Sequence, residues 1–133
     1  MGDSKMKSMT GTYDVTITQP LRSETITYTV LGEMQEDCDS ISGRFIFLPR
    51  QTGRKVTSEL RHRDKHYLNC RGFREGDYLQ LNYNNTMAPV AQFGAAVLTI
   101  VSEDELVGKI VGHSPENDGI MVAEVTMRRQ PEQ

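Results

Sequence analysis

Four residues in the segment 66–85 have side chains suited to holding an anion that also presents hydrogen-bonding edges: Asn69, Arg71, Asn82 and Tyr83. A guanidinium makes forked, charge-assisted hydrogen bonds to phosphate oxygens. The two amides donate and accept, and a tyrosine ring is a stacking plate for a base. The four come from two runs, "HYLNCRGF" and "DYLQLNY", joined by Arg74-Glu75-Gly76-Asp77. That linker reads as a hairpin loop with a glycine free to take positive φ. The second run ends in Asn82-Tyr83-Asn84-Asn85, a polar cluster around one ring. Arg44, from a separate run, is a further cation. Pairing register decides whether Arg71 and Tyr83 face the same side.

The surrounding charge is uneven. Residues 50–74 carry eight basic side chains against Glu59 and Asp64, within a chain of formal charge −3. An anion-binding face is one reading. A solvated hairpin whose lysines and arginines guard its edges is the other. His62, His66 and Cys70 recur every four residues, but on strand-turn-strand they do not converge and no fourth ligand stands near, so no metal site is expected. No nucleophile elbow, phosphate loop, dinucleotide fingerprint or zinc-protease motif occurs, and Asp37 and Asp39 read as a solvated turn. Catalysis is the minority hypothesis. No cofactor is expected.

A chain of 133 residues is one domain by size, and its charged fraction of 25% is ordinary. It contains no run of the ~18–20 apolar residues that a membrane helix needs. The start, "MGDSKMKSMTGTYD", lacks the apolar stretch of a secretory signal. The cytoplasm is therefore the expected compartment, with Cys38 and Cys70 as free thiols. Residues 1–10 read as a disordered leader or a cloning scar, and 11–133 as the single domain. If they are a scar, a membrane anchor could precede them in a longer natural chain.

The elements that must position these residues are strands. "GTYDVTITQ" sets Tyr13, Val15 and Ile17 against Thr12, Asp14, Thr16 and Thr18, strict period two. "ETITYTVLG" repeats it with Ile26, Tyr28 and Val30. Leu79, Leu81 and Tyr83 form a third such set, and Leu98 with Ile100 a fourth. About nine short runs follow one another, among them "RKVTSELRHR", with "SEDE" and "PENDG" as turns. The acidic "GEMQEDCDS", residues 32–40, reads as an interruption: a loop or one helical turn. Gly94, Gly108 and Gly112 lie inside strand patterns, as where a sheet bends or another backbone comes close. This layout is all-β: a small antiparallel up-and-down barrel of about eight strands, with its edges removed by closure.

"GFREGDYLQLNYNN", "QFGAAVLTIV" and "LVGKIVGHSPENDGIMVAEVTMRR" together resemble the closing strands of lipocalin-like bacterial barrels. Within that set the chain looks most like the β-barrel sensor domain of membrane-anchored CBASS anti-phage effectors. The resemblance spans roughly residues 11–129, its specific part being 72–129. It implies a barrel that binds a cyclic dinucleotide and oligomerises to damage a membrane, reached through a two-helix segment that this chain lacks. It carries no individual ligand contact.

The expected function is thus recognition of a cyclic dinucleotide or another small anionic ligand, and not of a nucleic acid polymer, at Arg71, Asn69, Asn82 and Tyr83 with Arg44. Homo-oligomerisation goes with it. One alternative is a carrier of a hydrophobic molecule lined by Leu79, Leu81, Leu98 and Ile100. Another is a barrel-type isomerase or cyclase using His113 or Glu124.

Overall fold

The computed structural model describes residues 5–20, 25–47, 66–85, 92–114 and 119–131. These fold into eight strands: β1 (Gly11–Pro20), β2 (Thr25–Asp37), β3 (Ser40–Phe47), β4 (His66–Glu75), β5 (Tyr78–Asn85), β6 (Gln92–Ser102), β7 (Glu105–Ser114) and β8 (Gly119–Arg129). Each pairs antiparallel with the next, and β1 pairs with β8, so the sheet closes into an up-and-down barrel. The connection "RKVTSELRHR", expected as a strand, lies outside the described residues.

Period two explains what faces inward. Tyr13, Val15 and Ile17 of β1, Leu79, Leu81 and Tyr83 of β5, and Leu98 and Ile100 of β6 are all buried. They pack with Met34, Ile41, Phe45, Leu68, Leu106, Val125 and Met127 into one core. Inward glycines let neighbouring strands close on one another. A Cβ on Gly108 would collide with the Val97 carbonyl, and one on Gly94 would stand 2.5 Å from the Val111 carbonyl oxygen. Sharp sheet bending of this kind needs a residue without a side chain.

Two segments differ from the sequence reading. Residues 32–37 are not a loop or helical turn but the second half of β2, and Cys38 and Asp39 alone make the turn into β3. Gly32, Met34 and Glu36 keep the inward alternation, and the acid among them is held by a cation described below. Residues 5–10, expected as part of a disordered leader, instead form a strap across the end of the barrel that carries the β2–β3, β4–β5 and β6–β7 turns. Met6 and Met9 are fully buried in the core.

Candidate functional site

The strapped end shows what two of the chain's arginines do. The Arg74 guanidinium donates to the carbonyl oxygens of Met6 (2.7 Å) and Lys7 (3.1 Å). Its Nε lies 3.1 Å from a Glu36 carboxylate oxygen, and both side chains are mostly shielded from water. Glu36 in turn accepts a hydrogen bond from the Met9 N–H at 2.8 Å. Arg129 donates to the Thr10 and Ser8 carbonyls and lies over the Tyr13 ring, 5.1 Å from its centroid. The Tyr13 hydroxyl donates to the Met9 carbonyl at 2.8 Å, and burial raises its pKa. These cations satisfy strap carbonyls that strand pairing leaves unbonded. Arg74, one of the eight basic residues of segment 50–74, therefore belongs to the fold.

The polar outer wall lies on β2–β5. Register sets its side chains in three rows across the strands. Glu33, Arg44, Asn69 and Asn84 form the first, Gln35, Ser42, Arg71 and Asn82 the second, and Asp37, Ser40, Phe73 and Gln80 the third. The first two rows and Phe73 border an open concavity of about 1080 Å³. Asn69, Arg71, Asn82 and Arg44 are thus gathered on one face, all exposed.

Their electrostatic states differ. Arg44 donates to Glu33 at 2.9 Å and sits over the Tyr67 ring, 4.9 Å from its centroid. The hydrogen bond to Glu33 raises its already high pKa further. Arg71 has no acidic partner among the described residues; its register neighbours are Ser42 and Asn82. The Asn82 side-chain carbonyl oxygen accepts from the Gln80 amide at 3.1 Å, which orients the Asn82 amide.

Tyr83 is not part of this face. It points into the barrel, 6% exposed, with its hydroxyl packed against Gly94 and Gly112. Burial pushes its pKa up to about 12. The aromatic ring on the outer face is Phe73, 51% exposed and beside Arg71 on alternate positions of β4. Strand parity carried the signal for it: Asn69, Arg71 and Phe73 share one parity, whereas Tyr83 shares that of Leu79 and Leu81.

The two residues named for a catalytic alternative are both on the outside. His113 stacks on Phe93 with ring centroids 5.4 Å apart, and Glu124 is exposed on β8. Among the described residues no three His, Cys, Asp or Glu side chains converge as a metal site would require. His62 and the side chain of His66 lie outside the described residues. The Cys70 thiol is buried beside the Met34 sulfur at 4.0 Å, and burial pushes its pKa up to about 12. Such a thiol stays protonated and is a poor nucleophile. No described helix is long and apolar enough to cross a membrane.

Set against protein-family models and against curated proteins, the chain matches none.

Proposed function

We propose that this barrel is a binding module for a small anionic ligand with hydrogen-bonding edges, held on the outer wall of β3–β5. A cyclic dinucleotide acting as a regulatory messenger is the ligand class with matching chemistry. It carries two phosphates for cations, two bases for stacking, and base edges for amides. The observation behind this reading is the second row: Arg71, without an acidic partner among the described residues, stands between Ser42 and Asn82, with Asn69 and Phe73 adjacent. A guanidinium that no described acid engages has its forked donors open to a phosphate. The connection between β3 and β4 adds Arg50, Arg54, Lys55, Arg61, Arg63 and Lys65 in sequence next to this wall. In this role the module is the sensor of an anti-phage effector in the cytoplasm.

Calorimetric titration with a panel of cyclic dinucleotides tests the reading. Binding should weaken roughly 10- to 150-fold in Arg71→Ala, the loss of one charge-assisted hydrogen bond of ~1.5–3 kcal/mol. Absence of binding by the wild-type chain sinks the proposal.

A second reading, a carrier of a hydrophobic molecule, is favoured by the apolar lining. Leu79, Leu81, Leu98 and Ile100 all point inward. Their near-complete burial means that this part of the interior is already filled by side chains. A ligand would therefore need room elsewhere in the barrel. Fatty acids and retinoids in the same titration separate the two readings.

A further inference from the structure

The β4–β5 hairpin carries two large aromatic side chains at the surface, Phe73 and Tyr78, 51% and 62% exposed. Among the described residues neither ring contacts another ring or a cation. Register places them. Phe73 pairs with Gln80 and Glu75 with Tyr78, and all four share the outward parity of Arg71 and Asn82. The two rings therefore stand on one diagonal of a square, with Gln80 and Glu75 on the other. Diagonal neighbours across an antiparallel pair are about 7–8 Å apart. Flat carbon rings meet at about 3.5–4 Å, so this gap is the width of one further ring held between two.

The backbone under the two rings is held from several sides. Gly76, at φ 62°, and Asp77 alone make the turn between Glu75 and Tyr78. The Asp77 carboxylate accepts from the Lys5 N–H at 2.8 Å, and its carbonyl from the Ile100 N–H at 2.7 Å. On the inner face Arg74 is tied to the strap and to Glu36. A ligand entering here has little backbone to order.

We propose that the slot between Phe73 and Tyr78 holds a guanine base, stacked on both faces, with its Watson–Crick edge on Glu75 and its phosphate turned toward Arg71. This rests on the ligand reading above and adds to it which base is read and by which residues. The polar diagonal carries the choice of base. Gln80 gives an amide N–H to Asn82 at 3.1 Å. Glu75 is exposed and has no ion-pair partner among the described residues. An ionised carboxylate accepts hydrogen bonds and donates none. It matches a base edge with two adjacent N–H donors, as guanine has, whereas adenine offers one donor beside an acceptor. Arg71 supplies the other end. It stands on the same face about 10 Å along β4 from the middle of the slot, a separation that its own length and the sugar of a clamped nucleotide bridge together.

Calorimetric titration of the full chain with cyclic di-GMP and cyclic di-AMP tests it. Cyclic di-GMP should bind about tenfold tighter or more. Phe73→Leu and Tyr78→Leu keep apolar bulk but lose the flat face, and each should weaken that binding roughly 5- to 150-fold. Glu75→Gln replaces one acceptor by a donor and should cut the preference for guanine to below about threefold. Circular dichroism should show the barrel intact in all three variants. Equal or tighter binding of cyclic di-AMP by the wild type overturns the proposal. So does binding that Arg71→Ala weakens while both leucine variants and Glu75→Gln leave it unchanged. In both of those cases the ligand reading stands. If neither ligand binds the wild type, the ligand reading falls and this proposal with it.

Discussion

Arg71 and Arg74 stand three residues apart on β4, in opposite surroundings. Arg74, at the strapped end, is enclosed by Glu36 and by the carbonyls of Met6 and Lys7. Arg71, on the outer wall, has hydroxyl and amide neighbours in the register and no acidic partner among the described residues. Opposite strand parity separates an inward cation from an outward one. Charge committed to the fold is recognised by its partners, as at Arg74; for Arg71 the proposed ligand reading is what a titration decides.

The contrast breaks most visibly at Arg74. Arg74→Ala leaves Glu36 shielded without its counter-charge and frees two strap carbonyls. It should cost ~3–5 kcal/mol in chemical denaturation, the range for removing one member of a shielded pair. A loss below about 1 kcal/mol would mean that the strap contributes little to stability.

Tyr83 sharpens the boundary between wall and interior. The unfolded chain releases a tyrosine proton near pH 10, and the folded barrel holds that of Tyr83 until about pH 12. In that window the unfolded chain binds fewer protons, so stability falls as pH rises. Below pH 10 the phenol is protonated in both states and the effect vanishes. Two pH units correspond to about 2.7 kcal/mol. Tyr83→Phe should flatten the stability profile between pH 10 and 12, read by urea unfolding at each pH. An unchanged profile would put the ring in water.

At Arg71 the expected effect is on binding alone. Arg71→Ala should lose ligand affinity as stated above, while stability stays within about 0.5 kcal/mol, as for surface changes in general. A stability loss similar to that of Arg74→Ala would erase the distinction between the two arginines.

Arg44 gives the smallest effect. It is exposed and already matched by Glu33, so a ligand must compete with that acid. Arg44→Ala should change ligand affinity less than about fivefold, by the same calorimetry. A loss as large as that of Arg71→Ala would show that the Glu33 pair opens for the ligand.

The barrel was legible in the sequence because burial on one face imposes period two, and β1, β5 and β6 display it without interruption. Residues 32–37 hid the same alternation, since Glu33, Gln35, Glu36 and Asp37 resemble a solvated loop. Only tertiary partners, Arg74 and the Met9 N–H, explain an acid at the inward position 36. The strap was illegible for a related reason. The carbonyls of Met6, Lys7, Ser8 and Thr10 are satisfied by side chains more than 60 residues away, and such partners leave no local pattern. Of the site, Asn69, Arg71, Asn82 and Arg44 do share a face. Tyr83 cannot both join Leu79 and Leu81 in the core and serve as an outer stacking plate, because alternation puts those roles on opposite faces. Phe73 was available by the same parity argument.

The strap's attachment to Arg129 has a kinetic consequence. Residues 8 and 10 are held by a side chain about 120 positions later, and β1 pairs with β8 between Tyr13–Arg129 and Thr18–Glu124. The earliest strand therefore cannot complete its pairing until the last one has been synthesised. Until then one edge of β1 stays open, and the Ser8 and Thr10 carbonyls lack the cation that holds them. Contacts of such sequence separation delay folding, because loop-closure entropy must be overcome before they reward it. Closure of the β1–β8 seam should be a late event, and the nascent chain carries an unpaired strand edge, the surface most prone to stray pairing, throughout its synthesis.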